Sequence, residues 1–180
     1  MENTEEILNK NVTQAISDVE EQKIINLNKF IFLCVISAGL YSIWWIFKAW
    51  RFYQQKENLN IMPAARTIFS IFFLISLFNK ILSFAREKGY KENFSSIGLF
   101  IIFFIVQLLS YLPDPFWLIS ILSFVFLIPP FKALNYAKKN SHDFIVTEQT
   151  SFSGRQIGLI VIGIVFWGLV LLGLSMGEIQ

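Results

Sequence analysis

The sequence is poor in the residues on which most enzymes and metalloproteins depend. It has one cysteine, Cys34, so no disulfide can form within the chain. Its one histidine, His142, excludes a metal site or proton relay built on two imidazoles. It contains no His-Glu-x-x-His, Gly-x-Ser-x-Gly or phosphate-loop motif. We therefore predict a protein that is not an enzyme, with no metal site and no cofactor.

Charged residues are also scarce. They make up 16% of the chain, whereas hydrophobic residues make up 54%. Soluble domains carry about 25% charged residues. The net charge of +2 is too small to indicate a nucleic-acid partner. No Asp or Glu lies inside an apolar run, where an ionisable side chain usually marks an ion or proton pathway. The composition predicts an integral membrane protein without nucleic-acid binding or proton coupling.

Apolar residues concentrate in five stretches, and a helix that spans a bilayer needs about 17 to 25 such residues. The stretches cover residues 30–47, 67–85, 97–112, 116–131 and 157–176. We predict an all-α integral membrane protein with a single membrane domain over residues 29–180. The last three stretches are predicted to be full spans. The first two are left open between crossing the bilayer, turning back within it and lying at its surface.

The first 28 residues lack the apolar core of a cleavable signal peptide. Leu8, Val12 and Val19 recur at helical spacing, and acidic residues occupy the opposite face. The pattern predicts a cytosolic acidic amphipathic helix over residues 1–28. Such a helix either packs under the membrane domain or docks a partner.

Glycine and proline mark the expected breaks in the chain. Residues 37–39, Ser-Ala-Gly, can turn the first stretch back towards its starting side. Pro63 suits the first turn of a helix, and Gly89 suits its end. The Pro-Asp-Pro link at residues 113–115 predicts a helical hairpin, and the Pro-Pro pair at residues 129–130 ends or kinks its second arm.

Aromatic and basic residues alternate at the end of the first stretch. Aromatic rings and cations are typical of the level where hydrocarbon meets lipid headgroups. The pattern predicts an interfacial, lipid-facing anchor, with recognition of anionic lipid as the alternative. The residues concerned are Trp44, Trp45, Lys48, Trp50 and Arg51.

Polar residues form a stripe along the second half of the second stretch, and this face must meet water, headgroups or another helix. The stripe consists of Ser76, Asn79, Lys80 and Ser83. Gln107, in the third stretch, is predicted to form a hydrogen bond between helices. With the stripe it could alternatively line a pore.

The glycines of the last stretch are spaced for close helix packing. Gly173 and Gly177 match the Gly-x-x-x-Gly spacing, and Gly163 with Gly168 nearly repeats it. We interpret them as contacts within one chain rather than as a dimer motif.

Lys and Arg gather in cytoplasmic loops of membrane proteins. Both connectors that flank the second stretch are basic, so a full crossing there would place one of them outside. If neither of the first two stretches crosses, all 15 cations lie inside. The five-span and three-span arrangements both place the N-terminus in the cytoplasm and the C-terminus outside, and we adopt that orientation. A four-span arrangement with the N-terminus outside is the remaining alternative.

The front half resembles a family of small bacterial multi-spanning membrane proteins that share a domain of unknown function. The resemblance rests on Gly-Leu-Tyr at residues 39–41, the Trp44-Trp45 pair, Lys48-x-Trp50 and Pro63-x-x-Arg66. It covers about residues 29–90. The chain departs from the family in Ala38 before the glycine and Phe47 where a tyrosine is usual. The resemblance implies a bacterial inner-membrane location and brings no activity or ligand.

Together these features predict a non-enzymatic integral membrane protein. Its role would be structural, or that of an accessory subunit of a membrane complex. Membrane lipids are its expected partners, with a membrane-protein partner or a second copy of the chain as further candidates. The alternative is a small oligomeric channel or transporter lined by the polar stripe. A membrane-shaping hairpin, with residues 30–57 wedged into one leaflet, is a third hypothesis.

Overall fold

The computed structural model describes residues 21–177, and this part of the chain is mostly helical. The strands are β1 (Gln22–Ile24) and β2 (Val146–Glu148). The α-helices are α1 (Leu27–Ile36), α2 (Leu40–Lys56), α3 (Pro63–Ile68), α4 (Ser70–Glu87), α5 (Ser96–Leu108), α6 (Ile128–Lys139) and α7 (Gly154–Gly177). Two 3₁₀ helices, Leu109–Tyr111 and Phe116–Leu127, join α5 to α6.

The first apolar stretch is a helical hairpin, not one continuous span. Ala38 and Gly39 have φ angles of 49° and 89°, and this left-handed pair ends α1 and reverses the chain. Phe30 in α1 stacks edge-on against Trp45 in α2, with ring centroids 5.9 Å apart. Since Phe30 and Trp45 lie on opposite sides of the turn, α1 and α2 run back along each other. The chain therefore turns back at residues 37–39, as the Ser-Ala-Gly sequence allows.

The second apolar stretch also breaks, at Phe69 between α3 and α4. No glycine or proline marks the break. Arg66 lies over the ring of Trp50 at 4.5 Å and over that of Phe73 at 5.1 Å. It therefore ties α3 to α2 and to the start of α4. Pro63 and Gly89 bound this unit as the sequence predicts, with Pro63 in the first turn and Gly89 at a φ of 89° after the last.

The two connectors that flank the second stretch meet at one end of the helix bundle, which we name the connector end. Glu57, in the first connector, forms an ion pair of 2.5 Å with Lys80 in the second half of α4. The rings of Phe52 and Phe84 lie 5.8 Å apart. Lys88 pairs with Asp143 at 3.3 Å, which brings the loop after α6 to the same end. The basic connectors are therefore neighbours and not opposite one another.

The third and fourth stretches form the predicted hairpin around the Pro-Asp-Pro link. Ser123 donates a hydrogen bond of 3.0 Å to Gln107, which confirms the predicted bond between helices. The second arm begins as the 3₁₀ helix, which ends at Leu127, and α6 begins at Ile128, directly before residues 129–130. The prolines therefore mark a change of helix type, in agreement with the expected break in the second arm. The prolines lie in the first turn of α6, where the missing N–H groups need no partner.

Residues 22–24 form a strand, so the helix predicted over residues 1–28 does not reach its expected end. Strand β1 pairs in parallel with β2, Gln22 opposite Val146 and Ile24 opposite Glu148. Asn26 then caps α1, its side chain accepting a bond of 2.8 Å from the Lys29 N–H. The predicted helix otherwise lies outside the described residues.

Helix α7 packs on the rest of the protein mainly through the end of α1. A Cβ added at Gly163 would lie 1.9 Å from the Ile36 carbonyl oxygen, so only glycine allows this approach. The Trp167 indole N–H donates to the Val35 oxygen at 3.2 Å. Gly163 thus makes a contact within the chain, as predicted, whereas the prediction is wrong for Gly168 and Gly173, where an added Cβ would meet nothing within 4 Å. Beyond these contacts and those of its first turn, most of α7 is exposed.

Within the described residues, two helical segments are long and apolar enough to cross a membrane. They are Phe116–Lys139, half of which is buried, and Gly154–Met176. The stretches at 30–47 and 67–85 each divide into two shorter helices. The confirmed architecture is thus a mostly helical chain with two segments of spanning length.

Candidate functional site

The aromatic-basic segment lies on α2, and its tryptophans do not share one surface. Trp50 is fully buried and Trp45 is 8% exposed, so both belong to the core. Trp44 is half-buried, Lys48 is exposed and Arg51 is half-buried. The lipid-facing role expected from the sequence is therefore wrong for Trp45 and Trp50. Their face of α2 packs against α1, α3 and α6, as the contacts with Phe30, Arg66 and Phe131 show.

A cavity of about 410 Å³ opens beside α2, between β1, α6 and the first turn of α7. Its basic lining residues are Lys23, Lys48, Lys138 and Arg155. Its polar lining residues include Gln22, Tyr41, Asn135, Gln149 and Gln156. We name it the basic cavity. No Asp or Glu lines it among residues 21–177, so its lining carries a net positive charge.

Hydrogen bonds from side chains hold the wall of the basic cavity. The Gln156 amide donates to the Tyr41 hydroxyl at 3.3 Å and accepts from the Gln149 amide at 2.7 Å. Asn135 donates to the Ile25 carbonyl oxygen at 2.9 Å, which fixes α6 against the chain before α1. Because these groups are paired with one another, the shape of the cavity is set before any ligand enters.

Two of the cations are placed by contacts with neutral groups. The Lys138 ammonium donates to the Gln22 side-chain oxygen at 2.9 Å and lies 4.3 Å from the Phe52 ring centre. The Arg155 guanidinium lies over the Trp44 ring at 5.6 Å. Lys23 differs, since Glu21 lies 4.0 Å from it. Lys48 and Arg155 are exposed and Lys138 is buried, so the two exposed side chains carry most of the positive charge of the cavity.

An apolar groove of about 630 Å³ adjoins the basic cavity. Trp44, Arg155 and Gln156 line both spaces. The groove continues between α2, α3 and α7, where its other lining residues are Leu40, Ile43, Phe47, Ala64, Thr67, Ile68, Gly158, Leu159 and Ile162. We name it the apolar groove. The charged and the apolar space thus share part of their lining.

The polar stripe of α4 lies on the side of the helix away from the core. Ser76, Asn79 and Ser83 are exposed. Lys80 is half-buried in its ion pair with Glu57, and Ser83 donates to Glu87 at 3.4 Å. In a single copy of the chain, the structure does not bring this stripe together with Gln107 around a common space.

The lone cysteine and histidine occupy unrelated places. Cys34 is fully buried in α1, where it accepts a weak hydrogen bond of 3.5 Å from Ser42. His142 is exposed in the loop after α6. Within the described part of the chain, no three His, Cys, Asp or Glu side chains lie close enough together to hold a metal ion.

Sequence reasoning found Trp44 and Lys48 but missed most of the residues around them. Lys138 and Arg155 lie about 90 and 107 residues after Lys48, so their spacing carries no local signal. Only Arg155 carried a local signal in the sequence, because it is a cation directly before the most apolar stretch. No protein-family model matches the chain, and no curated protein or solved structure matches it significantly.

Proposed function

We propose that this chain is a non-enzymatic integral membrane protein of the bacterial inner membrane with a structural or accessory role. It contacts anionic membrane lipid at its cytoplasmic face. The observation that carries the proposal is the meeting of both basic connectors at the connector end. Cations that share one end of a bundle can all remain in the cytoplasm, as the distribution of Lys and Arg in membrane proteins requires.

The dimensions of the first hairpin support an arrangement in which it enters and leaves by the same side. Helix α1 has 10 residues and so is about 15 Å long, half the thickness of a hydrocarbon core of about 30 Å. Its end meets α7 at Gly163, nine residues into α7 and thus about 14 Å from its start. The second stretch, broken at Phe69, would likewise enter and leave by the same side.

Three spans remain in this proposal, with the N-terminus in the cytoplasm and the C-terminus outside. The hairpin from α5 to α6 supplies two and α7 the third. Helix α7 has 24 residues, about 36 Å, and its exposed side chains are almost all apolar. Its outer face would meet lipid or a membrane-protein partner. The channel alternative receives less support, because Lys80 of the polar stripe is engaged by Glu57.

Labelling of single cysteines in intact cells tests this arrangement. A Cys34→Ser background carries Asn60→Cys, Glu92→Cys, Tyr111→Cys or Met176→Cys, all at exposed positions. An impermeant maleimide should label positions 111 and 176, and should label positions 60 and 92 only after the cells are opened. Labelling of position 60 from outside would show that the first stretch crosses, and would overturn the three-span arrangement. Release of the whole chain by alkaline carbonate would refute its membrane insertion.

The accessory or structural role has a separate test. Reconstituted protein should leave the flux of ions and small solutes across vesicles at the level of empty vesicles. A flux that rises with protein, and falls when Asn79 or Lys80 is replaced by Ala, would favour the channel.

A further inference from the structure

The geometry points to a built site for one anionic phospholipid, with its phosphate in the basic cavity and one acyl chain in the apolar groove. The inference rests on the proposed membrane location and goes beyond it by naming the site and its ligand class. A basic surface attracts anionic lipid in general without any cavity, whereas a site for one lipid molecule needs a cavity that fits it. Here a charged space and an apolar space lie side by side and share lining residues.

Charge complementarity identifies the headgroup. Lys48, Lys138 and Arg155 line the basic cavity, and no carboxylate does so among the described residues. Lys138 is only 8% exposed, and the hydrogen bond that it makes is to the neutral amide of Gln22. Because this amine is buried among neutral groups, an anion in the cavity would stabilise its charged form. A phosphate accepts several charge-assisted hydrogen bonds at once, which suits a cavity lined by more than one basic side chain.

The apolar groove identifies the rest of the ligand. It starts at Arg155 and follows α7 to Ile162, seven residues or about 10 Å. That depth is about a third of the hydrocarbon core, so the groove suits the first part of an acyl chain. Ile43 and Phe47 form the opposite wall on α2. A free phosphate or a phosphorylated sugar would leave this apolar space unused, and an amphiphile fills both compartments.

Trp44 and Arg155 form the junction between the compartments. The guanidinium lies over the indole at 5.6 Å and lines both spaces, so it can meet a phosphate while its alkyl stem and the ring cover the top of the chain. Both volumes, about 410 and 630 Å³, are within the range of small-molecule sites, roughly 300 to 1,000 Å³.

Native mass spectrometry of the full chain, released from detergent micelles, tests the site directly. The probes are phosphatidylglycerol and phosphatidylcholine with identical acyl chains. The wild-type chain should retain one phosphatidylglycerol in preference to phosphatidylcholine. Arg155→Gln should weaken phosphatidylglycerol binding roughly fivefold, as expected for one cation near a lipid headgroup, and should weaken phosphatidylcholine binding less, because the choline cation already offsets the charge of its phosphate. Arg155→Lys should keep most of the preference.

A second variant tests the groove without touching the charges. A Cβ at Gly158 meets nothing within 4 Å, so Gly158→Phe should fold and fill the apolar groove. It should weaken the binding of both lipids about tenfold, because several methylene groups lose their contacts. Gly173→Phe is the matched control, since Gly173 is on the same helix, has the same open surroundings and lies outside the groove. Lys132→Gln is the control for the loss of charge, since Lys132 is exposed and does not line the cavity.

Three results would overturn the site. The first is equal retention of the two lipids by the wild-type chain. The second is an Arg155→Gln or Gly158→Phe variant that binds like its control. The third is displacement of phosphatidylglycerol by equimolar glycerol phosphate, which would identify a soluble phosphate as the occupant. Any of these in a chain that still resists carbonate extraction would refute the lipid site alone and leave the membrane assignment intact.

Discussion

Gly163→Ala gives the most direct test of how α7 is held to the hairpin. The new methyl group would lie 1.9 Å from the Ile36 carbonyl oxygen and 2.7 Å from its carbon. Ordinary contacts at such a methyl group are 3.4 to 4 Å. The contact there is with backbone atoms at the end of α1, so no flexible side chain can move aside. The two helices must separate.

The expected cost follows from two contributions. Overpacking of a close contact costs about 1–3 kcal/mol. Separation also stretches the 3.2 Å bond from the Trp167 indole to the Val35 oxygen, and such a bond contributes roughly 1 kcal/mol. Against this, alanine in a helix interior is favoured over glycine by about 0.5–1 kcal/mol. The net loss in the free energy of unfolding should be about 1–3 kcal/mol.

Gly168→Ala is the matched control, because a Cβ there meets nothing within 4 Å. It gains the helical preference without a clash and should be neutral or slightly stabilising. The two alanine variants should therefore differ by about 2–4 kcal/mol. For a chain of this size, that difference corresponds to roughly 5–15 °C in the melting temperature.

The chain carries its own reporter for this measurement. Cys34 is fully buried in α1 and is the only cysteine, so a fluorogenic maleimide reacts when α1 unfolds or detaches. Thermal scans of detergent-solubilised protein should show earlier labelling in Gly163→Ala than in Gly168→Ala. Trp167→Phe should give a smaller shift, and its combination with Gly163→Ala should be less than additive, because both act on one interface. Identical melting of the two alanine variants would refute the packing of α7 on α1.

Three further predictions concern the core and the connector end. Tyr53→Phe should leave the protein as stable or raise its free energy of unfolding by about 1 kcal/mol in the same scan, because the buried Tyr53 hydroxyl has no hydrogen-bond partner within the described residues; a clear loss would contradict this. Glu57→Gln should lower stability by less than about 1 kcal/mol, and only at low salt, because the ion pair with Lys80 is about a third exposed; an effect that persists in high salt would argue against the exposure seen here. Hydrogen bonding from Ser141, and then Lys88, holds the pKa of Asp143 below its usual 3.8, so its stabilising contribution is present above that pH and is lost as the pH falls through the lower folded pKa. The contribution is small because Asp143 is exposed, and Asp143→Asn should remove that acid-dependent step from a pH series of melting curves.

The local breaks of the fold could be predicted from the sequence because each depends on a few adjacent residues. Ala38-Gly39 supplies the left-handed pair that reverses the first hairpin. Pro63 and Gly89 bound the second unit for equally local reasons, a fixed φ and a tolerated positive φ. The Pro-Asp-Pro link sets the third turn. In the site, Trp44 and Lys48 could be found because aromatic and basic residues cluster within one helix.

The remainder depends on contacts between distant residues, which no local pattern encodes. Strand β1 has three residues and exists because β2, more than 120 positions later, pairs with it. The break at Phe69 has no glycine or proline, and the contacts of Arg66 with Trp50 and Phe73 hold it. Trp45 and Trp50 look like an interfacial band in sequence, but they are buried because α1, α3 and α6 pack against their face of α2. The sequence by itself determined where the chain can bend and how apolar each helix is. Only the tertiary structure decided which faces are buried, that the basic connectors meet, and that Lys48, Lys138 and Arg155 share one cavity, because side-chain burial is settled by what packs against each helix.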